Sequence, residues 1–130
     1  MWLKLFFALW GILFALDIPW VLLNSTYGVY KGFVNGIISN RPVIGLLWAM
    51  VSGLMALCIT GIFIYFPREQ IVHAAIIFGF TVYFIFNATS LTMFQWSIMS
   101  AFVDTLWGAL LCGTSAAIGL SITAAVHLKK

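Results

Sequence analysis

Only three residues in this 130-residue sequence are acidic, and two of them stand in matched tetrads. Asp17-Ile18-Pro19-Trp20 lies near one end and Asp104-Thr105-Leu106-Trp107 near the other; Leu22-Leu23 follows the first and Leu110-Leu111 the second. Both acids sit in long apolar runs. A carboxylate inside lipid costs about 2.5–3.5 kcal/mol on insertion scales, and an intramembrane acid is by default a functional hypothesis. Two carboxyl groups brought close together do not both ionise readily. Each tryptophan falls one helical turn from its aspartate on nearly the same face, and its indole N–H can satisfy a carboxylate oxygen. Two kinds of chemistry follow: a proton-linked or ligand-binding site, or a polar clasp that fixes the register between helices. No cation, metal-ligand set or nucleophile accompanies the acids along the chain, so the clasp is the leading expectation.

Other reactive residue types are scattered. His73 and His127 fall at the opposite ends of their segments from the acids, which argues against a His–Asp pair or a metal site. Glu69 beside Arg68 reads as a solvated acid in a turn. Cys58 and Cys112 lie inside apolar runs without zinc or redox spacing and read as small packed hydrophobes, a disulfide between them being the minority alternative. No phosphate loop, Ser-His-Asp set or HExxH is present. No catalytic, cofactor-binding or metal-ligating residue is therefore expected, and no enzyme.

The elements that must position the tetrads follow from composition. The sequence is 64% hydrophobic and 7% charged, too little charge to cover a water-facing surface, where about 25% is usual. The natural solvent is a bilayer. The net charge of +3 comes from cations at segment ends and loops, not a basic face, so nucleic acid is excluded as a partner. About 20 apolar residues cross a bilayer as a helix, and four runs qualify: 3–23, 42–66, 71–91 and 97–126. The first begins as a signal peptide would, but Asp17 and Pro19 replace a small-residue cleavage site, and the reading is a retained helix. Pro19 predicts a kink near its end. The fold expected is all-α, one domain over 1–130: an integral-membrane antiparallel four-helix bundle. The turn at 67–70 and the connection around 94–96 are short, so sequential helices should be neighbours.

Four crossings put both termini on one side with Lys4, Arg68, Lys129 and Lys130, against Lys31 and Arg41 on the other. The positive-inside rule then favours cytoplasmic termini. Depth follows from helical rise. Asp17 lies six residues before Leu23, Asn87 four before Leu91 and Asp104 seven after Ser97, roughly 9, 6 and 10 Å from the same boundary. Asp17, Trp20, Asn87, Asp104 and Trp107 are thus the candidate polar cluster, with Thr89, Ser90 and Thr105 nearby.

The one long connection, 24–41, has two open readings. Asn24, Ser25 and Thr26 offer caps for a short interfacial helix carrying Tyr27 and Tyr30 at headgroup level; the alternative is an irregular loop over the bundle. Small residues four apart predict contact faces, within the monomer or with self or other membrane subunits: Ala109, Gly113, Ala117, Ser121 and Ala125 in the fourth run, Gly45, Ala49, Gly53 and Gly61 in the second, and Ala75 and Gly79, continued by Tyr83 and Asn87, in the third.

The ordered set Asp17 and Trp20, Tyr27 and Tyr30, Asn87 and Trp96, then Asp104, Trp107 and Gly108 resembles domain-of-unknown-function family 2177. These are small predicted four-helix membrane proteins of bacteria, algae and large DNA viruses. The resemblance spans nearly the whole chain, and Pro19 inside the first tetrad departs from it. It implies the four-helix membrane fold and supplies no catalytic residues. The functional expectation is a structural or assembly subunit of a membrane complex or a virion membrane. A small proton-coupled transporter or channel using Asp17 and Asp104 is the alternative, and a lipid-modifying enzyme ranks third. The discriminating observation is whether Asp17, Asn87 and Asp104 line a reachable cavity or are closed off by Trp20 and Trp107.

Overall fold

A computed structural model describes the backbone of residues 1–27, 41–93 and 97–128, and the side chains of 1–23, 45–93 and 97–125. Its described residues form four long helices: α1 Trp2–Tyr27, α2 Arg41–Tyr65, α3 Ile71–Met93 and α4 Ile98–Leu128. A single 3-10 turn, Arg68–Gln70, links α2 to α3. All four helices are long and apolar enough to cross a membrane, so the protein is an all-α, multi-pass membrane bundle. Large apolar side chains such as Phe7, Leu46, Leu54, Ile77, Phe84 and Leu110 point outward. In water that surface would drive aggregation; in lipid it is the appropriate exterior.

The helix ends differ from expectation in instructive ways. The first helix runs on through Tyr27, so Asn24, Ser25 and Thr26 prolong α1 rather than capping a new helix. The rest of the expected interfacial segment, Tyr30 included, lies outside the described residues, as does Trp96. Pro19 is accommodated within α1 on an exposed position. Pro42 sits in the first turn of α2, where its missing N–H removes no bond.

The helices form a ring in chain order. The α3–α4 contact is the most extensive, α1 packs against α2 and α4, and the α2–α3 seam is the thinnest. The centre is filled by Leu5, Leu9 and Leu13 of α1, Ala56, Ile59 and Phe63 of α2, and Leu111, Cys112 and Ala116 of α4. On α3 the buried line is Ile71, Ala75, Gly79 and Asn87, as the small-residue pattern predicts. On α4 the expected stripe holds only at its start: Ala109 is half-buried and Gly113 buried against Ile76, whereas Ala117, Ser121 and Ala125 face outward and Ala101, Thr105, Gly108, Cys112 and Ala116 are buried instead. The second expected stripe is also mostly external, since only Gly53 of its glycines meets a neighbour, the Trp10 ring, while Gly45 and Gly61 face open space. Without a solvent that distinguishes apolar faces, α4 carries two stripes able to pack, and the one that also holds Asp104 is turned inward.

Two glycines set the α3–α4 distance. A Cβ on Gly79 would run into the backbone carbonyl of Gly108, and one on Gly108 into the Tyr83 ring. The backbones approach as closely as they do because neither residue has a side chain. Gly108→Ala should therefore lower the unfolding free energy by about 1–3 kcal/mol, while Gly61→Ala, in open space, should change it by no more than about 0.5 kcal/mol. Denaturation of the two variants in mild detergent, followed by circular dichroism, checks the contrast; equal stability would show that the close approach is not limiting.

Candidate functional site

The two tetrads meet. α1 and α4 are antiparallel neighbours, so Asp17 lies opposite Trp107 and Trp20 opposite Asp104. The indole N–H of Trp107 donates to Asp17 Oδ1 at 2.9 Å, and that of Trp20 to Asp104 Oδ1 at 3.0 Å. The two indoles stack between these bonds, with ring centroids 4.7 Å apart and planes 8° from parallel. Each tetrad thus supplies the donor for the other's acid. The antiparallel arrangement requires this: an Asp-x-x-Trp turn reversed against its own copy sets unlike residues face to face.

The other two helices join through the remaining oxygens. Trp48 of α2 donates to Asp17 Oδ2 at 2.8 Å. Asn87 of α3 donates through Nδ2 to Asp104 Oδ2 at 3.1 Å and to Thr105 Oγ1 at 3.0 Å. The Thr105 hydroxyl in turn donates to the Ala101 carbonyl, which leaves its oxygen free to accept. All five candidates of the polar cluster are therefore in one network: Asp17, Trp20, Asn87, Asp104 and Trp107. The acids are deeply buried, Asp17 7% and Asp104 0% exposed. Asn87 is 2% exposed, and its Oδ1 is a buried side-chain oxygen without a hydrogen-bond partner. Exchanging its amide atoms would turn an oxygen toward Asp104 and orphan a donor, so the placement is the better of the two.

Trp48 and Tyr83 are members that sequence reasoning missed. Trp48 lies six residues after Pro42, roughly 9 Å along the axis, the same depth as Asp17. It reads from sequence as a belt tryptophan; only its depth match could have singled it out. Tyr83 was placed on the α3 contact line, but not in the cluster.

A cavity of about 230 Å³ in the α2–α3 seam reaches Asp17. Trp48, Val51 and Met55 of α2 and Val82, Tyr83 and Phe86 of α3 form its walls, with Asp17 and Asp104 also lining it. Of the three polar residues expected either to line a cavity or to be closed off, Asp17 and Asp104 line it and Asn87 does not. The stacked Trp20 and Trp107 bridge the α1–α4 side, while the α2–α3 side opens to Asp17, with Asp104 fully buried behind the cavity wall. A second depression, between Phe7, Trp10, Gly11, Phe14 and Ala49 on the outer α1–α2 surface, carries no titratable group; the Trp10 N–H beside it is already bonded to the Ala49 carbonyl.

Elsewhere the chemistry is sparse. Among the described residues no three His, Cys, Asp or Glu side chains converge as metal ligands would. His73 is exposed, and Cys58 and Cys112 are free thiols, the first exposed and the second buried. A family model described as a predicted membrane protein, a domain of unknown function, matches residues 2–121. No curated protein and no solved structure matches the chain significantly.

The crossed bonds make a quantitative prediction. A double-mutant cycle between Trp107→Phe, which keeps an aromatic ring and removes the donor, and Asp17→Ala should return a coupling of about 0.6–1.7 kcal/mol, the range for hydrogen bonds in membrane interiors. Trp107→Phe combined with Trp10→Phe, which share no partner, should be additive. Unfolding in detergent measures both, and additivity in the first pair would remove the cross-bond from the account.

Proposed function

We propose, for a chain that belongs to the DUF2177 family of predicted membrane proteins, a role as a small proton-linked carrier whose ligand site is the Asp17–Asp104 pair. The observation that carries this reading is the cavity in the α2–α3 seam, which reaches Asp17 and has Asp104 in its wall. A clasp alone needs its carboxylates closed off; a carrier needs them reachable. The seam is also where the helices touch least, so it can widen while the glycine-spaced α3–α4 contact holds.

The pair suits proton coupling. Two carboxyl groups at one depth repel when both are ionised, and a proton on either relieves that repulsion. The titratable groups facing Asp17 are Asp104 and Cys112 on α4 and Tyr83 on α3. We read the protein as non-enzymatic. The asymmetry of Lys4, Arg68, Lys129 and Lys130 against Lys31 and Arg41 supports cytoplasmic termini; a reporter fused to either end should be active only on the cytoplasmic side.

A structural subunit of a membrane complex or virion membrane is the second reading, favoured by the reciprocal Trp–Asp bonds. The two readings separate by access. N,N′-dicyclohexylcarbodiimide partitions into lipid and adds to a protonated carboxyl group, giving an O-acylisourea that rearranges to a stable N-acylurea. The carrier reading expects Asp17 or Asp104 to be labelled in intact vesicles, as read by peptide mass spectrometry, and Val51→Trp at the cavity wall to block it. Acids that stay unlabelled, while a water-soluble carbodiimide labels exposed Glu69, would leave the structural reading in place.

A further inference from the structure

We infer that the ligand of this cavity is a lipophilic organic cation, an ammonium group on a compact apolar body, entering from the bilayer. The inference rests on the carrier reading above and names its substrate class.

Charge is the first ground. Both oxygens of Asp17 accept from neutral indoles, Trp48 and Trp107, and no cation stands against it among the described residues. Each carboxylate oxygen has two lone-pair sites, so Asp17 can face an ammonium charge, with or without an N–H, and lose neither indole. An anion would meet carboxylate charge, and a neutral apolar molecule would leave the charge of Asp17 without a counterpart among the described residues.

The walls are the second ground. Trp48, Tyr83 and Phe86 put three aromatic rings around the cavity that the acids line, and aromatic faces attract ammonium groups, most strongly where water is excluded. Val51, Met55 and Val82 complete an apolar lining suited to the body of the ligand. At about 230 Å³ the space falls below the roughly 300–1,000 Å³ of sites for drug-sized molecules. It suits a small cation, or the head of a larger one whose tail stays in lipid.

The mouth is the third ground. Val51 and Phe86 line the cavity and are also 52% and 51% exposed on the apolar exterior. The entrance therefore faces the acyl chains, where lipophilic cations concentrate and hydrophilic ones do not. Binding costs the cation its hydration, and the carboxylates and ring faces replace that hydration with fixed partners.

The test uses the full-length protein in nanodiscs, with tryptophan fluorescence as the readout. Benzyltrimethylammonium is the probe, neopentylbenzene its neutral isostere with carbon in place of nitrogen, and benzylsulfonate its anionic counterpart. Saturable binding of the cation is expected, roughly tenfold or more tighter than the isostere, with no response to the sulfonate. Asp17→Asn should weaken it by a similar factor. Because that variant also touches the helix contacts, Val51→Trp serves as the second variant; it fills the mouth without removing a clasp bond and should abolish the response. Equal binding of cation and isostere, both blocked by Val51→Trp, overturns the cation inference and leaves the carrier reading standing. No binding of any probe, with carbodiimide labelling of the acids intact, does the same. No binding and no labelling overturns both.

Discussion

A carboxylate in a bilayer must find donors, because there is no water to supply them. This constraint organises the molecule. Four neutral N–H groups, from Trp20, Trp48, Trp107 and Asn87, reach the four oxygens of Asp17 and Asp104, and every helix contributes at least one member. The doubled tetrad is the economical solution. An Asp-x-x-Trp turn sets acceptor and donor one turn apart; two such turns on antiparallel helices are complementary to each other, whereas on parallel helices like would face like. Sliding α1 against α4 by one turn would break both bonds at once and unstack the indoles. The register between the two helices is therefore specified by two pairs, in a medium where apolar packing alone specifies it weakly.

The remaining helices are held by different means. α3 is held to α4 by close backbone approach at Gly79 and Gly108 as well as by Asn87. α2 is held to α1 through Trp48 and through the bond from Trp10 to the Ala49 carbonyl. Between α2 and α3 there is neither a glycine contact nor a polar bond among the described residues; larger side chains, Val51, Met55, Val82, Tyr83 and Phe86, face the gap instead. A cavity there follows from the placement of small residues elsewhere, since bulky walls prevent the backbones from closing over the acids.

Much of this was legible in the sequence. Four apolar runs gave the fold class. Helical rise placed Asp17, Asn87 and Asp104 at similar depth with Trp20 and Trp107 one turn from their acids, where the structure joins them. What was not legible has physical reasons. Trp48 was passed over because a tryptophan near a helix start is ordinarily an interfacial anchor, and nothing local distinguishes one that reaches inward. The later part of the expected α4 stripe, Ala117 to Ala125, was misassigned because small residues recur three or four apart on both faces, and lipid rewards neither over the other. The tie is broken by Asp104 and Thr105, polar residues that belong to the buried face and cannot face acyl chains cheaply. Depth predicts which polar groups meet; it does not predict which seam stays open.

Clasp and site are not competing descriptions of the same carboxylates. A binding group works best when its own geometry is fixed by neighbours before the ligand arrives, and the indoles do this for Asp17 from two sides. Because the donors are neutral, they orient the carboxylate without cancelling its charge, as a lysine or arginine would. The Trp–Asp network thus holds the helices in register and keeps Asp17 aimed and uncompensated at a cavity that opens toward lipid. An acid tied to a basic side chain would give the first property and lose the second. The choice of tryptophan as the partner is what lets one pair of residues serve both the packing of the bundle and the chemistry of its opening.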